Sequence, residues 1–221
     1  MLSENLNFPG VKVTNLMIKL YGMPLSNYYN MIKCVLIEKG MAFEEVLVKP
    51  NQEADYLSKS PMGKVPCIET EQGFLSETTV IINYIDALGE GPSFYPADPF
   101  ERAKVEELIH NMELYIELPA RRLYGDVFFG RPASDELKAE VREQLQKGFA
   151  SLHRLAKFDP FIAGSELTYA DFFFRFAVGL ATIVSKKACG WDTYGEFDKV
   201  RQLLELMGER ESVKRALADQ A

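Results

Sequence analysis

The sequence predicts an α/β domain followed by an all-helical domain. Three observations carry this. Between residues 17 and 88, short strand-like runs and helical runs follow one another in the order β-α-β-(α)-β-β-α. A break rich in Gly and Pro then intervenes, Gly89-Glu90-Gly91-Pro92-Ser93 and Pro96 to Pro99, the composition of a linker. Beyond it the apolar residues recur at helical spacing. The first part requires a parallel crossover and its end forms a hairpin, so the four-stranded sheet is mixed. The expected division is a leader at 1–16, a sheet domain at 17–89, a linker at 90–99 and a helical domain at 100–221.

Met17–Tyr21 (MIKLY) alternates apolar and polar residues and reads as a strand. Gly22 to Asn27 is turn chemistry, and a helix follows to about Lys39, carried by Ile32, Val35 and Leu36 and stopped at Gly40. Phe43–Val48 is the second strand, and 51–60 is polar with room for one helical turn. Val65–Thr70 and Gly73–Ser76 form the hairpin, with a helix from Glu77 to Leu88. In the helical part, Val105, Leu108, Ile109, Met112 and Ile116 mark a helix from Phe100 to Leu118, which Pro119 is expected to kink or divide. Residues 126–134 read as a loop. Ser134 caps a long helix to Lys157, and Thr168–Ser185 is apolar enough to be the buried central helix. Two shorter helices, Asp198–Leu206 and Ser212–Leu217, complete the chain.

Bulk properties narrow the function. The 221 residues are 47% hydrophobic and 26% charged, ordinary for a globular protein. A formal net charge of −7 argues against nucleic acid or an anionic membrane surface as partner. No apolar run approaches the roughly 20 residues that span a bilayer, and residues 1–16 lack the basic start and apolar core of a signal peptide. Cys34, Cys67 and Cys189 are odd in number and far apart, as reduced thiols of a cytoplasmic protein are. With only His110 and His153, no metal site is expected.

The stretch from Ser60 to Ile85 holds most of the chemistry. Pro66 opens a strand, removing a donor and holding Val65 extended. Glu77 and Thr78 stand where strand gives way to helix. An acid there takes an ammonium and free helix N–H groups take a carboxylate, the grip for a small zwitterion; a Pro-started edge hairpin with an ordinary cap fits the same residues. Lys64 reads as a carboxylate partner or as a solvated charge. Ser26, between the first strand and helix, reads as a plain N-cap worth about 1 kcal/mol or as a hydroxyl facing an anion held at the helix N-terminus. Tyr21 is the second hydroxyl nearby. Thr168-Tyr169-Ala170-Asp171 is a capping box and reads as a folding device. Tyr115, Arg121, Arg122 and Tyr124 flank Pro119 as an aromatic and basic cluster.

Taken together, KLYGMPLSNYYNMIKCVLIEKG, SPMGKVPCIE, FLSETTVIINYID and LTYADFFF resemble, in that order, stretches of the cytosolic glutathione transferase family. The resemblance extends from Met17 to the last helices. It implies a thioredoxin-like first domain that holds glutathione as co-substrate, with no metal. Glu77 and Thr78, the latter where the family has serine, would bind the γ-glutamyl end; Val65, ahead of a cis Pro66, would pair its backbone with the cysteinyl part; Lys64 would approach the glycyl carboxylate. Ser26 falls where serine-type and cysteine-type members carry the catalytic group, and Tyr21 is the alternative of tyrosine-type members. Tyr115 and Arg122 would line the site of the second substrate.

The implied activity is transfer: hydrogen bonding to the glutathione sulfur lowers the thiol pKa, and the thiolate attacks an electrophile, as in detoxification. A glutathione-dependent isomerase or reductase, and a non-catalytic regulatory protein on the same fold, remain alternatives. The family resemblance also implies a homodimer.

Overall fold

The computed structural model describes residues 17–220; the expected leader at 1–16 lies outside them. A four-stranded mixed sheet has the order β2-β1-β3-β4. Its strands are β1 (Ile18–Gly22), β2 (Phe43–Leu47), β3 (Cys67–Thr70) and β4 (Gly73–Ser76). β1 and β2 are parallel, and β1–β3 and β3–β4 are antiparallel. This is the mixed topology that the order of elements predicts.

Helix α1 (Asn27–Glu38) crosses between β1 and β2, α2 (Ala54–Leu57) is a single turn, and α3 (Thr78–Ala87) follows β4. Ile18 and Leu20 of β1 and Ile68 of β3 are fully buried with α1 and α3 residues such as Ile32, Val35, Ile81 and Ile85. Lys19 and Tyr21 therefore project to the other face, because side chains alternate along a strand. There they meet Glu69 and Cys67, their register partners on β3, and Phe74.

The helical part begins with α4 (Pro99–Met112), whose cap Asp98 accepts from the N–H groups of Phe100 and Glu101. Pro119 does not end this helix. The chain instead passes through a π-helical turn at Glu113–Glu117 and continues as α5 (Leu118–Arg121). Proline has no N–H to donate, and the wider turn carries the chain across it without a break. α6 (Tyr124–Phe128) runs into the stretch 126–134 expected as a loop. α7 (Asp135–Leu155) starts at the predicted cap, Ser134 Oγ accepting from the N–H of Leu137.

The central helix is α8 (Tyr169–Phe173), a second π turn at Phe174–Val178 and α9 (Gly179–Cys189). Asp171 is fully buried and accepts from Thr168 N–H at 2.7 Å, Thr168 Oγ1 at 2.9 Å and Ile162 N–H at 2.8 Å. The capping box is thus present and also ties down the preceding loop. α10 (Asp198–Gly208) and α11 (Glu211–Ala218) follow, and α11 packs along α1. One apolar cluster runs through both parts, from Ile18 and Leu36 to Phe172 and Val213, so the sheet and the helices share a single core.

Candidate functional site

Strand register decides which residues meet. β1 ends at Gly22, and its Tyr21 pairs with Cys67, the first residue of β3. Cys67 pairs in turn with Ser76, the last residue of β4. The β1–α1 loop with Ser26, the dipeptide Val65-Pro66 and the pair Glu77-Thr78 therefore lie at one end of the sheet. Ser26 and Thr78 are 52 residues apart in the sequence.

Each of the three contributes differently. Ser26 is the N-cap of α1, and its Oγ accepts from the N–H of Tyr29 at 3.2 Å. The cap reading is therefore satisfied, while the hydroxyl hydrogen stays available to donate to an anion. The Val65-Pro66 bond is cis, and among the described residues the Val65 N–H and C=O make no hydrogen bond. The segment before it is fixed from behind. Tyr56 OH donates to the Lys64 carbonyl at 2.9 Å, and Ser60 Oγ donates to the same oxygen at 2.8 Å. The Lys64 side chain is exposed.

Glu77 has φ 69° and ψ 120°, a backbone conformation rare outside glycine, and its side chain does not cap α3. Strain of this sort costs about 1–3 kcal/mol and gathers where a side chain or backbone is held for a ligand. Here it leaves an exposed carboxylate beside the N–H groups of the first turn of α3, with Thr78 buried behind it.

Tyr21 is not brought to this place. It lies on the sheet face opposite α1 and donates to Glu69 Oε2 at 2.5 Å. Burial, then the Glu69 carboxylate, pushes its phenol up to about 12. A proton so held is a poor donor to a thiolate. Cys67 and Cys34 are buried thiols, both raised by desolvation.

Across from α1 stands the π turn. Glu117 is fully buried and accepts from Asn27 Nδ2 at 3.2 Å, Tyr28 OH at 3.0 Å, Tyr124 OH at 3.2 Å and Arg121 Nε at 3.2 Å, with Arg121 Nη2 on its other oxygen. Arg121 Nη2 also reaches Asn27 Oδ1 at 3.2 Å. The guanidinium lies between the rings of Tyr28 and Tyr124, 5.3 and 5.1 Å from their centroids, a cation–π arrangement. Glu113, one turn earlier, is 3.5 Å from Tyr28 OH. Burial raises its carboxyl, and Glu117 and Glu77 add to the rise.

The aromatic and basic cluster around Pro119 is thereby divided. Arg121 and Tyr124 face the first domain. Arg122 instead pairs with Glu140 of α7 through two contacts of 2.9 Å. Tyr115 lines a groove of about 530 Å³ with Leu114, Pro119, Gln144, Lys147 and Ser151, all in the helical part. The structure does not bring Arg122 or Tyr115 together with Glu77. The sequence marks Asn27 only as part of the turn before α1, and it does not mark Tyr28, Glu113 or Glu117. The available signal was two glutamates four apart beside an apolar stripe, an unusual place for charge.

Comparison with known proteins identifies the family. Residues 20–93 match the family described as Glutathione S-transferase, N-terminal domain, and residues 122–220 match Glutathione S-transferase, C-terminal domain. A glutathione S-transferase of Pseudomonas putida is 49% identical over 203 residues, 92% of each chain. Glutathione S-transferase 2 of Saccharomyces cerevisiae is 27% identical, covering 94% of this chain and 92% of its own. The crystal structure of a glutathione S-transferase from Pseudomonas fluorescens superposes with a TM-score of 0.75 at 21% identity, over 89% of this chain and 96% of the other, which shows the fold. Two matched domains and a relative of this identity and coverage place the chain in the glutathione S-transferase family of enzymes.

Proposed function

We propose that the protein binds glutathione at the end of the sheet and activates its sulfur as a thiolate that attacks an electrophilic small molecule. The observation that carries this is the convergence of an α1 N-terminus bearing Ser26, a cis Val65-Pro66 and a strained Glu77 at the start of α3. In this reading Glu77 takes the γ-glutamyl ammonium and the α3 N–H groups with Thr78 take its carboxylate. Val65 pairs its free N–H and C=O with the cysteinyl part, as an added strand would. Lys64 reaches the glycyl carboxylate. The Ser26 hydroxyl and the α1 dipole stabilise the sulfur anion.

The electrophile sits against Tyr28, Arg121 and Tyr124, the part of the helical domain that faces α1. We further infer a cytoplasmic homodimer engaged in detoxification. The three free cysteines fit a reducing compartment. In light scattering a particle of 25.1 kDa, the mass of one chain, would count against the dimer.

The decisive experiment is calorimetry of glutathione binding, followed by titration of the bound thiol through its thiolate absorbance. Saturable binding with a thiol pKa below that of free glutathione is expected. Ser26→Ala should raise that pKa and slow transfer to a generic aromatic halide. Binding without any depression of the pKa would favour a non-catalytic role, and no binding would overturn the reading.

A further inference from the structure

We propose that Glu117 and Arg121 are positioning residues for the thiol site: Glu117 holds the first turn of α1, and Arg121 cancels the charge that Glu117 brings there. This rests on the reading that the α1 N-terminus faces the glutathione sulfur.

The argument starts from the cost of the arrangement. A fully buried carboxylate is unfavourable unless paired and hydrogen-bonded, and apolar residues of similar volume would serve stability as well. Glu117 is fully buried, and two of its partners are Asn27 and Tyr28, the residues that follow Ser26. Asn27 is held at both ends of its amide, by Glu117 at 3.2 Å and by Arg121 Nη2 at 3.2 Å. The side chain thus has no freedom to turn, and the backbone carrying Ser26 is fixed with it. The π turn that places Glu113 and Glu117 on the same Tyr28 hydroxyl is a feature that recurs at functional sites.

Electrostatics explain the arginine. A carboxylate behind a helix N-terminus opposes the partial positive charge that favours an anion there. Arg121, paired to Glu117, offsets it. The other titratable groups facing the pair are Tyr28 from α1, Tyr124 from α6 and Glu113 from the same turn, itself 3.9 Å from His110 Nδ1. Burial raises the phenols of Tyr28 and Tyr124 far above neutrality, so they carry no charge there. Burial also raises the Glu113 carboxyl.

The pair predicts shifts of opposite sign, which a purely structural contact would not give. In Glu117→Gln one acceptor oxygen is kept for Asn27, the amide NH2 can donate to the Tyr28 hydroxyl oxygen, and the negative charge is removed, so the pKa of bound glutathione falls. In Arg121→Met the negative charge is uncovered, so it rises. Each shift is on the order of one pH unit, the size of a unit charge acting at roughly 10 Å through an effective dielectric near 20. Arg121→Lys restores most of the wild-type value.

The test titrates the thiolate absorbance of bound glutathione in wild type and these variants, with affinity measured by calorimetry and folding checked by near-ultraviolet circular dichroism. Should Arg121→Met not fold, Glu117→Gln alone must still lower the pKa. Shifts of the same sign, or none in folded variants against a depressed wild-type value, overturn the pair and leave the proposed function standing. A wild-type protein that binds no glutathione, or leaves its thiol unshifted, overturns both.

Discussion

Gly148 of α7 lies against the carbonyl oxygen of Tyr115, so close that a Cβ at residue 148 would stand 2.1 Å from it. Pro119, four residues beyond Tyr115, has no N–H to offer that carbonyl. The helix bearing the π turn therefore packs on α7 backbone to backbone. Gly148→Ala should destabilise the protein by about 1–3 kcal/mol through overpacking, although alanine is favoured over glycine inside a helix by up to about 1 kcal/mol. Urea denaturation checks this, and a midpoint above wild type would show that α7 moves aside freely.

The backbone at Glu77 makes a second test possible. Glycine adopts positive φ without steric penalty, whereas alanine does not. Relief of strain of about 1–3 kcal/mol outweighs the roughly 0.5–1 kcal/mol of extra chain entropy that glycine loses on folding. Glu77→Gly should therefore be more stable than Glu77→Ala, by about 1 kcal/mol. Both should weaken glutathione binding by about tenfold or more, the worth of one charge-assisted hydrogen bond. Equal melting temperatures would remove the strain argument. Unchanged calorimetric affinity would remove Glu77 from the grip.

Asp171 gives the stability a pH dependence of its own. Burial pushes its carboxyl up to about 6, against an ordinary value of 3.8, despite three hydrogen bonds that favour the anion. The folded state then binds this proton more tightly than the unfolded chain does. The contribution of Asp171 to stability falls as pH rises from about 4 to about 6 and is constant outside that window. The loss is on the order of 3 kcal/mol at 1.36 kcal/mol per unit. Asp171→Asn does not titrate, so the stability difference between wild type and this variant should shift in favour of the variant across that range. A difference independent of pH would show that the hydrogen bonds fully offset burial, and a shift against the variant would show that they outweigh it.

Much of this could be read from the chain because local signals and burial agree. β4 has the expected bounds Gly73–Ser76, Ser26 and Ser134 are caps, and Thr168 and Asp171 form their box. What could not be read came from the π turn. Apolar spacing around Met112 and Ile116 fits an ordinary helix, and the pattern carries no mark of one extra residue in the turn. That residue rotates everything after it by about 100°, so Arg121 faces α1 and Arg122 faces Glu140. Tyr124–Phe128 was hidden for another reason: the nearby Gly125, Gly130 and Pro132 outweigh a helical run of five residues. Tyr21 shows the limit of reading a strand end. Its position is close to the site in sequence, but strand alternation sends it to the other face.

The last relationship to be tested joins the two ends of the described chain. Lys33 of α1 is 1% exposed, yet its ammonium is 2.5 Å from Glu45 of β2 and 2.5 Å from Asp219 beyond α11. Tyr29 OH donates to the same Glu45 oxygen at 2.5 Å. The carboxylates are partly exposed, 28% and 42%, so they keep some hydration when the lysine is removed, whereas the lysine has little of its own to fall back on. Removing the buried cation and removing its partners should thus have unequal costs. Lys33→Met should lie within about 1 kcal/mol of wild type, because replacing a buried charge by an apolar side chain of similar length avoids desolvation. The double variant Glu45→Gln with Asp219→Asn strands the ammonium in a buried site and should cost about 3–5 kcal/mol. Urea midpoints of the three proteins decide the matter. Equal costs for the two changes would mean that Lys33 reaches water by a route the packing of α1 against α11 does not provide.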